Sequence, residues 1–244
     1  MVIKIRKIEV ISEILESYDG RDKLLKLFTY SAKLATLFTK SPKTSEKFSQ
    51  FGSKMSECRV ILRLMSDVPI LQGTIAYGWG RQETKGFVRL MKVLENIIDL
   101  IASPVEHICW MGEQKFILAD ERFWDHLSTW LWNTNLALAL LISMVKLMEM
   151  KPETRHESFV NPQNLPGTGT NPVEADSKGW NNQFLTCLRL GLDLVYAMNS
   201  LPSGPPWRVP LKSWQGGLLG TLSASIGIYQ LYKKIYIAAD SCNG

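Results

Sequence analysis

The sequence predicts an all-α chain, with an amphipathic helical amino-terminal half followed by two transmembrane helices joined by a partly helical loop. Three observations carry that prediction. Apolar residues in the first half recur at spacings of three and four, the period of one helix face. Two later windows, of 19 and 20 residues, contain no charged side chain. No stretch alternates apolar and polar residues as a half-buried strand would. The chain divides accordingly into an amphipathic region at 1–126, a first span at 127–147, an intervening segment at 148–212, a second span at 213–232 and a short tail at 233–244.

Composition sets the frame for these elements. With 45% hydrophobic and 21% charged residues and a mean hydropathy of −0.03, the 244-residue chain is neither disordered, nor collagen-like, nor a disulfide miniprotein. The near-neutral average leaves room for one or two spans but not for a chain that is mostly membrane. Residues 1–65 hold 13 Lys or Arg against 7 Asp or Glu, whereas residues 66–126 hold 6 against 9. A basic amino-terminal quarter calls for an anionic partner. Aromatic stacking platforms between the basic residues would indicate nucleic acid, and none is present, so a phospholipid surface is the expected partner and nucleic acid is not.

The first periodic segment carries Ile8, Ile11, Leu15 and Tyr18, and Asp19-Gly20 punctuates the chain before the second. There Leu24, Leu27, Phe28, Leu34, Ala35 and Phe38 share one helix face, and Lys26, Lys33 and Lys40 stand in a row on the opposite one. This pairing of an oily stripe with a lysine row makes Lys26, Lys33 and Lys40 candidate lipid-headgroup ligands. Leu24, Leu27, Phe28, Leu34 and Phe38 are the candidate membrane-inserting residues. A buried face of a soluble helical bundle would show the same periodicity. Ser41-Pro42 reads as an N-cap with proline at the first helical position, followed by Phe48, Phe51, Met55, Cys58, Leu62 and Met65. Phe87, Leu90, Met91, Leu94, Ile97 and Ile101 repeat the pattern, and Ser103-Pro104-Val105-Glu106 reads as a capping box opening a further helix.

The first uncharged window, Leu127 to Val145, would span about 28 Å as a helix, and the second, Ser213 to Tyr232, about 30 Å. Each just reaches across a hydrocarbon core. Trp124, Trp130 and Trp132 crowd one end of the first, while Trp214, Tyr229 and Tyr232 bracket the second, as interfacial rings do. Polar residues within the windows, Asn133, Thr134, Asn135, Gln215 and Gln230, also suit core helices of a soluble bundle. In the second window Gly216, Gly220 and Ala224 recur every four residues, with Ser223 and Gly227 on a neighbouring ridge. Gly216, Gly220, Ala224 and Gly227 are therefore the candidate helix-packing residues. Between the windows, Asn161 to Asn171 has loop chemistry and Phe184 to Met198 forms a short amphipathic helix.

Catalytic signals are missing. Cys58, Cys109, Cys187 and Cys242 lie 51 to 78 residues apart without a CxxC pair, and read as reduced thiols. Met1 to Glu9 lacks the apolar core of a secretory signal, which also points to a reducing compartment. The histidines His107, His126 and His156 occupy no HExxH spacing and adjoin no nucleophilic cysteine. Gly78-Trp79-Gly80 lacks the third glycine of a dinucleotide loop, and neither a phosphate-loop motif nor a GxSxG elbow occurs. No enzyme activity, catalytic residue, metal or cofactor is expected.

The run from Leu15 to Leu24, LESYDGRDKL, with Tyr30 beyond it, resembles the opening of the peroxisomal membrane protein 11 (peroxin-11) family. Met55 to Leu64, MSECRVILRL, is similar to that family's second signature helix. Tyr77-Gly78-Trp79-Gly80, Phe87-Val88-Arg89 and Pro104-Val105-Glu106-His107 resemble its gamma type, and Gly217-Leu218-Leu219-Gly220-Thr221 through Tyr229-Gln230 resembles its final span. The resemblance covers Leu15 to Tyr232, in collinear order. Glu153 to Trp180 departs from it, and Val60 stands after Arg59 where alpha- and beta-type members are more basic.

The resemblance implies a multi-pass peroxisomal membrane protein with both termini cytosolic, residues 1–126 on the cytosolic side and residues 148–212 on the lumen side. It implies a role in peroxisome elongation, proliferation and fission. The partners it implies are the phospholipid membrane, the chain itself, other members of the family, and the peroxisomal and mitochondrial fission machinery. Gamma-type members resemble coordinators of the other types as much as remodellers. Two other readings stay open: a small-solute pore in which Asn133, Asn135 and Gln230 face an aqueous path, and a soluble helical adaptor in which both uncharged windows are core.

Overall fold

The computed structural model describes residues 2–150, 172–202 and 208–242. Those residues are helical throughout apart from their connections, with no strand among them. The helices are α1 (Val2–Glu16), α2 (Tyr18–Phe38), α3 (Pro42–Leu64), α4 (Asp67–Tyr77), α5 (Gly86–Glu113), α6 (Glu121–Glu149), α7 (Pro172–Asn199) and α8 (Ser213–Cys242). The six long helices pack as a ring: α2 lies against α8, α8 against α7, α7 against α6, α6 against α5, and α3 closes the circuit between α5 and α2. α1 packs on α2 and α8, and α4 on α5.

Local chemistry explains most boundaries. The break between α1 and α2 falls at Ser17 rather than at Asp19-Gly20, because the Ser17 hydroxyl accepts from the Gly20 amide at 3.0 Å and serves as the N-cap. α3 starts at Pro42 after Ser41, the position the sequence indicates, although the Ser41 side chain makes no capping hydrogen bond. The capping box expected at Ser103–Glu106 does not open a helix: α5 runs straight through Pro104 to Glu113. The Ser103 hydroxyl instead donates to the Asp67 carboxylate, and Glu106 faces Arg63 at 3.5 Å, so neither side chain caps. α4, for which the sequence offered no distinct signal, ends in a turn where Gly78 and Gly80 take φ of 55° and 62°. The Gly78-Trp79-Gly80 motif is thus a left-handed turn.

The expected first span lies wholly within α6, which begins at Asp120, whose carboxylate accepts from the Arg122 and Phe123 amides at 3.1 and 3.2 Å. Among the described residues α6 is the one helix long and apolar enough to cross a membrane, and only 17% of its most apolar window is buried in the protein. The rest of that window is mostly half-buried against α5 and α7 rather than enclosed. α8 contains the expected second span but falls short of that apolarity, because glycine, serine and glutamine dilute it. The short amphipathic helix expected at Phe184–Met198 is part of the much longer α7, and the predicted loop at Asn161–Asn171 lies outside the described residues.

The small residues of α8 set how closely its neighbours approach. A Cβ at Gly217 would meet the Leu34 amide nitrogen at 3.1 Å and the Tyr30 carbonyl at 3.3 Å, so α2 touches α8 backbone to backbone. A Cβ at Gly220 would lie within the Tyr30 ring, and one at Gly216 would sit 3.0 Å from the Tyr196 ring. Ala224 is almost completely buried. The Tyr30 and Tyr196 rings meet edge to face at 5.0 Å, which joins α2 and α7 across this glycine face. Gly220→Ala is expected to destabilise the bundle by about 1–3 kcal/mol, since the methyl must displace a packed ring. Thermal unfolding in detergent measures this, and Tyr30→Leu in the same chain should recover part of the loss.

Candidate functional site

Two surfaces compete for a functional role, an apolar exterior and a polar interior. On the outside, α2 exposes Phe28 and Phe38, α5 exposes Phe87, Leu90, Leu94, Ile97 and Ile101, and α8 exposes Leu218, Leu222 and Ile237. Single exposed apolar residues are ordinary, but whole helix stripes on successive elements are not. Inside the ring lies a cavity of about 660 Å³ lined by side chains from all six long helices, charged and hydroxyl groups together with apolar ones such as Val60, Leu131, Trp132 and Leu136. The one apolar cluster among fully buried residues is small: Val10, Ile14 and Ile235, with Leu24, Leu231, Tyr232 and Tyr236 against it.

The lysine row of α2 turns toward the interior. Lys26 donates to both carboxylate oxygens of Asp193 on α7, at 2.6 and 2.7 Å, and to the Ser223 hydroxyl on α8 at 2.9 Å. All three of its protons are used within the protein. Burial pulls the ammonium below its ordinary range, and the Asp193 carboxylate opposes that shift. Lys33 donates to the Tyr196 hydroxyl at 3.2 Å and stands 5.3 and 5.7 Å from the Tyr30 and Tyr196 ring centres. Lys40, beyond the end of α2, is exposed. Lys26, Lys33 and Lys40 therefore do not share one open face, because α7 covers the first two.

The apolar candidates divide similarly. Leu24 packs on the Val10–Ile235 cluster, Leu34 lies against Gly217, and Leu27 is half-buried. Phe28 is 45% exposed, edge to face with Phe51 at 6.3 Å, and Phe38 is 81% exposed. Of the packing candidates, Gly216, Gly220 and Ala224 line the α8 face described above, and Gly227 receives the stems of Lys23 and Arg189. The neighbours they seat are α2 and α7 of the same chain.

Around the cavity a set of ion pairs joins helices distant in sequence. Arg59 of α3 donates to Asp22 of α2 at 2.9 and 3.4 Å, and Lys23 pairs with Asp19 one turn away. On the opposite wall the Asn135 amide of α6 donates to the Asp99 carboxylate of α5. Asn133 reaches the Ala197 carbonyl of α7 at 3.2 Å, and Gln230 reaches Asn182 and Thr186 of α7 at 2.9 Å. Asn133, Asn135 and Gln230 thus tie helices together, and Asn135 also lines the cavity.

Asp193, Tyr196, Arg59 and Asp22 are interior residues to which the sequence reading gave no role, and Ser223, read as a small packing residue, is a ligand of Lys26. Arg189, Asp193 and Tyr196 lie one turn apart on one face of α7, which gives a polar stripe at helical spacing. That stripe, inside the segment Phe184–Met198 read as a short amphipathic helix, is the available signal.

Nothing in the interior suggests nucleophilic chemistry. Burial pushes the Cys109 thiol up to about 11, with Asp125, Glu113 and Glu106 adding to the shift, and it raises Cys187 as well, so both stay protonated at neutral pH. His107 staples α5 to α4, with Nδ1 at 2.9 Å from the Ser103 carbonyl and Nε2 at 3.4 Å from Asp67. Among the described residues no cluster of His, Cys, Asp or Glu could hold a metal ion.

With the geometry in place, comparison with known proteins decides the family. Residues 9–232 match the family described as peroxisomal biogenesis factor 11. The chain belongs to that family. It is 32% identical to human peroxisomal membrane protein 11C over 225 residues, 90% of this chain and 92% of the relative. The mouse protein of the same name is 29% identical over the same shares. No solved structure matches the chain. The resemblance noted in the sequence is thereby established, and the chain is grouped with peroxisomal biogenesis factors.

Asp99 supplies a pH-dependent property of the peroxisomal biogenesis factor 11 fold in this chain. Burial, and then the Glu95 charge, push its carboxyl from 3.8 to about 6. The folded state then holds a proton more tightly than the unfolded chain, so stability falls as pH rises from about 4 to 6 and the loss is complete above that window. Asp99→Asn keeps an acceptor for Asn135 and removes the charge. Its stability in a pH series of unfolding curves is expected to be flat through the window and higher than that of the wild type above pH 6.

Proposed function

We propose that the chain is an integral peroxisomal membrane protein that remodels the membrane and promotes peroxisome elongation, proliferation and fission, without catalysing a reaction. The observation that carries this reading is the apolar exterior: α6 holds a long uncharged stretch of which little is fully buried, and the stripes of α2, α5 and α8 face outward. In this topology residues 127–147 and 213–232 span the bilayer and both termini are cytosolic, with Lys233 and Lys234 on the cytosolic side; a wholly lumenal 148–212 opposite a cytosolic 1–126 does not accord with the direct contacts of Lys26 with Asp193 and of Lys33 with Tyr196, so α2 and α7 lie at the same depth. Because α2 packs along α8 and α5 along α6, insertion of the spans carries the exposed faces of α2 and α5 to the lipid boundary. Phe28 and Phe38 would act as the wedge and Lys40 as the headgroup contact. The same outward stripes would serve self-association and contact with other family members, and the cytosolic face would recruit the fission machinery.

The test is expression of the tagged full chain in cells with marked peroxisomes. A carbonate-resistant protein that elongates or multiplies the organelles is expected, and the double variant Phe28→Glu, Phe38→Glu should abolish elongation. Carbonate release with unchanged organelles would overturn the reading in favour of a soluble adaptor.

The ringed polar cavity favours a second reading, passage of small polar solutes through the bundle, with Asn135 on the path. Purified full chain in planar bilayers would then give a conductance that Asn135→Leu reduces. A silent bilayer would eliminate this reading and leave the membrane-shaping one standing.

A further inference from the structure

Around the whole cavity six carboxylates, with Asp99, Glu106 and Asp125 on the α5–α6 side, face five cations, but the charges do not balance locally. At the corner formed by α2, α3, α7 and α8, the cations are Lys23, Lys26, Arg59 and Arg189, and the acids are Asp19, Asp22 and Asp193. Each acid has its own cation: Asp19 takes Lys23, Asp22 takes Arg59, and Asp193 takes Lys26. Arg189 is left over. Asp193 stands one turn further along α7 and would be its natural partner, but both carboxylate oxygens already accept from Lys26. The Arg189 Nε is buried without a hydrogen-bond partner. A guanidinium does not lose its proton in proteins, so it cannot escape the burial by neutralising. The residue as a whole is only partly buried, but a buried N–H without an acceptor is costly, and an anion at that edge of the guanidinium relieves the cost.

The site is also shaped for one. The absence of a side chain at Gly227 lets the Arg189 and Lys23 stems cross α8 side by side. A Cβ there would lie 3.5 Å from Arg189 Cδ and 3.1 Å from Lys23 Cε. Two cationic side chains are thereby brought to one wall of a cavity that is far larger than either needs. The planar fork of arginine matches two oxygens of a tetrahedral oxyanion, which a lysine alone does not.

We propose that Arg189, with Lys23 beside it, binds a phosphate group inside the helical ring. The group is either the phosphate of a phospholipid headgroup entering between helices or free inorganic phosphate. This inference concerns an internal ligand and stands apart from the membrane-shaping activity, which does not require it.

The test uses the full-length chain, delipidated in detergent and freed of phosphate, and follows thermal unfolding. Inorganic phosphate is titrated against chloride at matched ionic strength. In parallel the chain is reconstituted in nanodiscs of phosphatidylcholine with or without phosphatidic acid. Arg189→Gln removes the surplus charge and Lys54→Gln, an exposed residue on α3, is the control. The wild type and Lys54→Gln are expected to gain stability with phosphate or phosphatidic acid. Arg189→Gln should be at least as stable as the wild type in the empty state and lose the response, with apparent affinity reduced about tenfold or more. A response to inorganic phosphate identifies free phosphate as the source, and a response to phosphatidic acid alone identifies a lipid. No response to either, or an equal response in Arg189→Gln, overturns the proposal.

Discussion

Lys26 is the point at which three helices become one structure. Its ammonium holds a carboxylate from α7 and a hydroxyl from α8 while standing on α2, so helices far apart in sequence are fixed in register by one buried group. Such a contact contributes little net stability over an apolar core of the same volume, but removing either partner leaves a buried charge exposed to nothing. Its value here is specificity: only one rotation of α2 about its axis satisfies both Asp193 and Ser223. The tyrosine pair Tyr30–Tyr196 and the glycine face of α8 then follow, since they occupy the same seam.

That constraint explains why part of the polar chemistry lies within the bundle, although most fully buried residues are apolar. Once the lysine face of α2 is turned inward, its opposite face, with Phe28 and Phe38, must point out. The same logic holds for α5, whose Asp99 faces the cavity while Phe87, Leu90 and Leu94 do not. Polar groups sheltered by helices and apolar stripes facing outward are the arrangement that lipid rewards, because hydrocarbon satisfies the exterior and the backbone hydrogen bonds are internal to each helix. Membership in a family of peroxisomal biogenesis factors agrees with such an exterior.

The interior and the exterior thus answer different questions. In the function proposed above, the exterior stripes would meet lipid or a second copy of the chain. The interior network determines which helices neighbour one another, and it creates a cavity because long paired side chains hold the helices apart. A core of leucine and valine would have closed that space.

The helical class, the Ser41-Pro42 start of α3, the uncharged stretch of α6 and the family were legible in the sequence, because each rests on local spacing or collinear motifs. The break at Ser17 and the passage of α5 through Pro104 were not, since the Ser17 cap and the Ser103–Asp67 contact are choices between competing hydrogen-bond partners. Sequence spacing also determined that Lys26 and Lys33 share a helix face, with Lys40 falling beyond the end of α2. It could not say what that face meets. The meeting of α2 with Asp193 and Tyr196, some 163 to 167 residues away, was decided by tertiary packing alone. A periodic pattern specifies which residues point together, whereas the partner of a face depends on the charge and shape of helices that the pattern does not contain.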